Sequence, residues 1–110
     1  MKRYCLALDL KNDPKLIGEY KQIHKAIWPE IAKSIKDAGI TVMDIYLLDN
    51  RLFMIMETVD SFSFYAKSLT DNADPKVQEW ENLMWKYQQA LPNAKPGEKW
   101  VLMEKIFDLP

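Results

Sequence analysis

Two apolar runs, ITVMDIYLL at Ile40–Leu48 and RLFMIMETV at Arg51–Val59, are separated only by Asp49-Asn50. Both are rich in residues that fit a pleated surface. A two-residue link of short polar side chains suits a tight hairpin turn. The chain is thereby committed to an antiparallel sheet. Val42 and Leu48 fall on one face of this hairpin, Ile45 and Leu47 on the other, and Phe53 and Ile55 oppose Met54 and Met56 in the same way. An antiparallel sheet with one wet face shows clean alternation instead. Helices cover one face, so a second copy of the chain is expected on the other, twofold dimers being the commonest assembly. The alternative is a face that lines a pocket.

The remaining elements fall around that hairpin. RYCLALDL at Arg3–Leu10 reads as a first strand with Tyr4, Leu6, Leu8 and Leu10 inward. Asp13-Pro14 matches a helix N-cap followed by proline in the first turn, and a helix is expected from there to about Ile27. Pro29 ends or kinks it. A second helical segment, PEIAKSIKDAG, places Ile31, Ile35 and Ala38 inward, and Gly39 suits its C-terminus. A short helix capped by Ser61 is expected over Ser61–Leu69, then a polar loop, TDNAD. Asp74-Pro75 repeats the cap, opening a helix to Leu91 with a stripe of Val77, Trp80, Met84, Tyr87 and Leu91. The loop PNAKPGE leads to a last strand, Trp100–Phe107, apolar on both faces. Strand, helix, strand, strand, helix, strand is the α+β, ferredoxin-like βαββαβ arrangement, with a four-stranded antiparallel sheet.

Composition narrows the function classes. A chain of 110 residues with 48% apolar and 28% charged residues fits one globular domain, residues 1–110. Net charge is −1 with scattered cations, which argues against a nucleic-acid partner. Cys5 is the single cysteine and His24 the single histidine, so neither a disulfide nor a metal site is expected. The start, MKRYCLALDLKND, lacks the apolar core of a signal peptide. No run approaches the ~18 apolar residues of a membrane span. A cytoplasmic protein with no membrane partner is expected.

The chemistry-bearing stretch is YKQIHKAIWPE, Tyr20–Glu30. Tyr20 lies one helical turn before His24, so the two share a face. Trp28 sits at the bend set by Pro29. A phenol, an imidazole and an indole are thus gathered into a wall for a small polar ligand. The same residues also suit plain core packing. The sequence has no phosphate loop, nucleophile elbow or metal-ligand cluster, so catalysis here means proton transfer by side chains. Imidazole suits that task because its free pKa of ~6.5 allows transfer in both directions near neutrality. Trp80 belongs to the apolar stripe of the last helix and offers an indole flank for the C–H face of a sugar. Trp85 points about 140° away from it.

The block EYKQIHKAIWPEI resembles the signature of the L-rhamnose mutarotase family, through Glu19, Tyr20, His24, Ile27, Trp28, Pro29 and Glu30. Ile45-Tyr46-Leu47, Leu52-Phe53, Asp74–Trp80 and the closing Leu-Pro extend the resemblance over nearly the whole chain. It implies a small ferredoxin-like enzyme that dimerises into an α/β barrel. It further implies His24 as the proton donor of mutarotation and Tyr20 and Trp80 as sugar contacts, without cofactor. Two positions depart from the pattern. Met43 stands where the family has a sugar-contacting Tyr, and Glu81 where it has the second of two adjacent Trp. Tyr46 cannot replace the lost Tyr, being on the opposite sheet face. The implied substrate is a 6-deoxy hexose, L-rhamnose or, second, L-fucose. Competing readings of the fold are a cofactorless monooxygenase of the dimeric barrel group and a non-enzymatic dimeric binding module.

Overall fold

The computed structural model describes residues 1–110. Its elements are β1 (Lys2–Leu10), α1 (Pro14–Ile23), α2 (Pro29–Asp37), β2 (Ile40–Leu48), β3 (Arg51–Thr58), α3 (Phe64–Ala73), α4 (Pro75–Trp85), β4 (Gln88–Gln89) and β5 (Val101–Leu102). The sheet runs β2-β3-β1-β4, with β5 also on β1, and every pairing is antiparallel. This is the expected ferredoxin-like α+β order, with each helical crossover built from two helices. No helix is long and apolar enough to cross a membrane.

The turn and cap chemistry operates as the sequence implies. Asp49 takes a positive φ of 53° in the hairpin turn, and β2 and β3 pair from Leu48↔Arg51 onward. Asp13 accepts from the backbone N–H of Lys15 and Leu16, and Asp74 from that of Lys76, each before a proline in the first turn. Gly39 closes α2 at φ 94°, where a Cβ would meet the Val59 Cγ2 atom at 2.7 Å. Both the dihedral and the space demand glycine.

Several boundaries differ from the sequence expectation. The first helix ends at Ile23, with His24 as its C-cap, rather than running to Ile27. Trp28 is held extended (φ −59°, ψ 136°) by the proline after it, and i→i+3 turns accepted by Gln22 and Ile23 carry the chain into that geometry. Pro29 opens α2, where the second helical segment is expected. In α3 the cap is Ser63, not Ser61, because Phe62 leaves the helix to pack with Met54 and Met56. The TDNA segment continues that helix instead of looping. The last helix stops at Trp85 rather than Leu91, since Gln88 and Gln89 pair with Leu10 and Asp9. The final strand is two residues long, paired at Leu6 and Ala7, and not the run to Phe107.

The edge beside β1 is thus split. The chain touches it at β4, leaves through residues 90–100, and returns at β5 lower on the same strand. The core is divided as well. One cluster joins Leu10, Tyr20, Ile31, Leu52, Val77, Trp80, Met84 and Tyr87. A second joins Leu6, Ile40, Met54, Met56 and Phe62.

Candidate functional site

Between the helices and the sheet, bordered by both core clusters, lies a cleft of about 300 Å³. Its floor crosses the sheet. Met43 and Ile45 of β2 pair with Met56 and Met54 of β3, making a thioether and aliphatic patch at one end. Gln88 of β4 and Lys99, just before β5, lie at the opposite edge. Tyr20, His24, Trp80 and Glu81 form the helical wall. The cleft is apolar towards β2 and polar towards the split edge.

His24 is fixed at the end of α1. Its backbone N–H donates to the Tyr20 carbonyl at 3.2 Å, and its Nδ1 lies 2.9 Å from the same oxygen. A carbonyl only accepts, so Nδ1 carries the hydrogen and Nε2 of the neutral ring is a lone-pair base. Both bonds converge on one carbonyl, whose two lone pairs serve the backbone N–H and the imidazole together. The imidazole stacks on the Tyr20 ring at 4.1 Å and meets the edge of Trp80 at 5.6 Å. Burial pushes its pKa below the ordinary 6.5, opposed by the bond to the Tyr20 carbonyl. At neutral pH it is uncharged.

The Tyr20 phenol is buried and accepts from the Gln88 Nε2 atom at 3.4 Å. Burial raises its pKa, the Gln88 bond lowers it, and the Glu81 charge raises it. The phenol therefore stays protonated and is available as a donor. The Oε1 atom of Gln88 is buried without a partner. Glu81 is held by Lys99, whose Nζ lies 2.6 Å from Oε2 and donates to the Glu81 backbone carbonyl at 2.7 Å.

Of the site residues named from the sequence, Tyr20, His24, Trp80 and Met43 line the cleft together. Trp28 stands outside it and packs edge-on against Trp80 at 5.1 Å, with Lys76 over its ring. Trp85 also stands outside, beneath the Lys99 ammonium at 4.7 Å, and Tyr46 is exposed on the other sheet face. Gln88 and Lys99 were not found by sequence reasoning. Gln88 fell within a helix-like run, and Lys99 sits in a loop whose return path no local pattern specifies.

Comparison with known proteins gives a consistent picture. A family pattern described as L-rhamnose mutarotase matches residues 3–109. An L-fucose mutarotase from Xanthomonas campestris is 41% identical over 99% of this chain and 89% of its own. An L-rhamnose mutarotase from Acidiphilium cryptum is 29% identical over 96% of this chain and 97% of its own. The crystal structure of an L-rhamnose mutarotase from Formosa agariphila superposes with a TM-score of 0.73 at 20% identity, covering both chains fully.

Proposed function

The chain belongs to the L-rhamnose mutarotase family and is an aldose mutarotase, and from that membership we propose that it interconverts the α and β anomers of a 6-deoxy hexose through His24. The observation that carries the role of His24 is its clamped Nδ1, which leaves Nε2 as a base in the cleft. Opening a pyranose removes a proton from the anomeric hydroxyl and delivers one to the ring oxygen. Both oxygens are bonded to C1, so one imidazole reaches both. Nε2 takes the proton from the hydroxyl as the C1–O5 bond breaks, and O5 receives one from the imidazolium or from the Tyr20 phenol. Rotation about C1–C2 and closure in the reverse sense give the other anomer. General acid–base help of about 10²–10⁴-fold is enough for a reaction with a modest uncatalysed barrier.

The polarity of the cleft supports the substrate class. Hydroxyls face Tyr20, Gln88 and Glu81, Trp80 flanks the C–H face, Trp28 backs Trp80, and the C6 methyl lies towards Met43, Met54 and Met56. Burying that methyl on the thioether patch favours a deoxy sugar over glucose by roughly 0.8 kcal/mol or more. Identity favours L-fucose, with L-rhamnose second. Saturation-transfer NMR on the anomeric protons, with catalytic amounts of protein, should show faster exchange for L-fucose or L-rhamnose than for glucose. Equal exchange on all three sugars overturns the substrate class, and no acceleration on any overturns the activity.

The working form in this reading is a cytoplasmic homodimer closed over the outer sheet face. That face carries Ala7, Val42, Phe53, Ile55 and Val101, with Tyr46 57% exposed. The tail beyond β5 leaves Ile106, Phe107 and Leu109 exposed as well. Charged pairs, Arg3 with Glu57 and Asp9 with Arg51, rim this apolar centre, and exposed apolar area with a polar rim suits a binding face. Sedimentation at micromolar concentration should give twice 12.9 kDa; a well-folded monomer there removes the dimer.

A further inference from the structure

The Glu81–Lys99 pair stands in the wall of the cleft without a part in the proton transfer above. Lys99 is the more enclosed partner, its side chain 12% exposed against 41% for Glu81. Withdrawing an ammonium from water is costly unless it is paired, and this one is paired twice to a single residue. The two bonds have a geometric consequence. Holding both the backbone carbonyl and one carboxylate oxygen of Glu81 fixes the side chain in one rotamer. Lys99 thus holds Oε2 of a residue that lines the cleft. The carboxylate also faces the same space as the Tyr20 phenol, on which its charge acts.

A fixed carboxylate oxygen beside a sugar-sized space is a receptor for hydroxyl groups. Hydrogen bonds to a charged acceptor are roughly twice as strong as neutral ones. A sugar lacking a hydroxyl at that point, or presenting it in the other orientation, leaves the carboxylate without its partner. L-fucose and L-rhamnose share the C6 methyl and differ in the orientation of the hydroxyls at C2 and C4. The apolar patch therefore cannot separate them, and a directional acceptor can.

We propose that Glu81, positioned by Lys99, accepts a hydrogen bond from a ring hydroxyl of the substrate and sets the choice between 6-deoxy hexoses. Lys99 is a positioning residue, acting through Glu81. The split sheet edge is what delivers it, since Lys99 lies at the end of the excursion from β4 to β5. This inference rests on the mutarotase reading and adds to it the residue that reads the hydroxyl pattern.

The test measures anomeric exchange against sugar concentration, for L-fucose and L-rhamnose, in the parent chain, Glu81→Gln and Lys99→Met, with melting temperatures alongside. Glu81→Gln keeps the shape and removes the charge. Its KM for the better sugar should rise about tenfold or more, the weight of a charged hydrogen bond, while kcat falls far less. The preference between the two sugars should shrink with it. Lys99→Met should raise KM in the same direction by a smaller factor, because the carboxylate remains but is no longer fixed. Unchanged KM and preference in Glu81→Gln, with a lowered melting temperature, would show a purely structural tie and overturn the inference while the mutarotase reading stands. A parent chain that exchanges neither sugar overturns both.

Discussion

A His24→Gln protein should fold and yet exchange sugar anomers about 100-fold or more slowly than the parent chain, the weight of one general acid–base group. Glutamine can keep a donor to the Tyr20 carbonyl, but it has no lone-pair nitrogen that accepts and returns a proton. Structural loss alone would be about 1 kcal/mol, one hydrogen bond. The parent chain should also show an acid limb in its exchange rate. Because burial lowers the His24 pKa below 6.5, the base form persists to lower pH than a free imidazole would, and the rate should fall only beneath that value. Stability follows the same sign. Between the lowered folded value and 6.5 the unfolded chain binds more protons, so stability declines there as pH falls. An exchange rate undiminished in His24→Gln would remove the imidazole from the mechanism.

Trp80→Ala should be the most damaging change to stability among the site residues, at about 3–5 kcal/mol by urea unfolding. The indole is buried, and it carries edge contacts to both His24 and Trp28. Its loss opens a cavity behind the His24 ring as well as removing the proposed sugar platform. Trp80→Phe separates the two effects. It should recover much of the stability, since a ring still fills the space, while KM stays raised because the flank offered to the sugar is smaller. Trp80→Phe with parental KM would show that the indole only packs.

The parts of this fold that could be read from the sequence are those decided by local chemistry. Asp49-Asn50, Asp13-Pro14 and Asp74-Pro75 each act within a few residues, and each sits where its chemistry puts it. The stacked Tyr20–His24 pair was equally legible, because one helical turn fixes the spacing. The misses occur where a distant partner decides. Nothing near Gln88 opposes a helix, but the free edge of β1 takes its backbone instead. Ser61 and Ser63 are equivalent caps until Phe62 is drawn into the Met54 and Met56 cluster. Trp100–Phe107 looks like a strand throughout, yet its pairing ends once Met103 donates to the Cys5 carbonyl. The polar end of the cleft was invisible for the same reason. Glu81 was noticed only as a departure, and its partner lies 18 residues on.

The excursion between β4 and β5 has a bearing on how such a chain can change. Both of its anchors are on β1, a few residues apart, so the register of the four-strand scaffold does not depend on how many residues run between them. Doubling the length of such a loop costs only about 0.6 kcal/mol in closure entropy. Insertions and deletions before Lys99 therefore move the ammonium that holds Glu81, while His24, Tyr20 and the methionine floor stay in place. Relatives with other sugar preferences should differ in length here first, and loop grafting is the direct way to redirect selectivity without rebuilding the proposed proton-transfer centre.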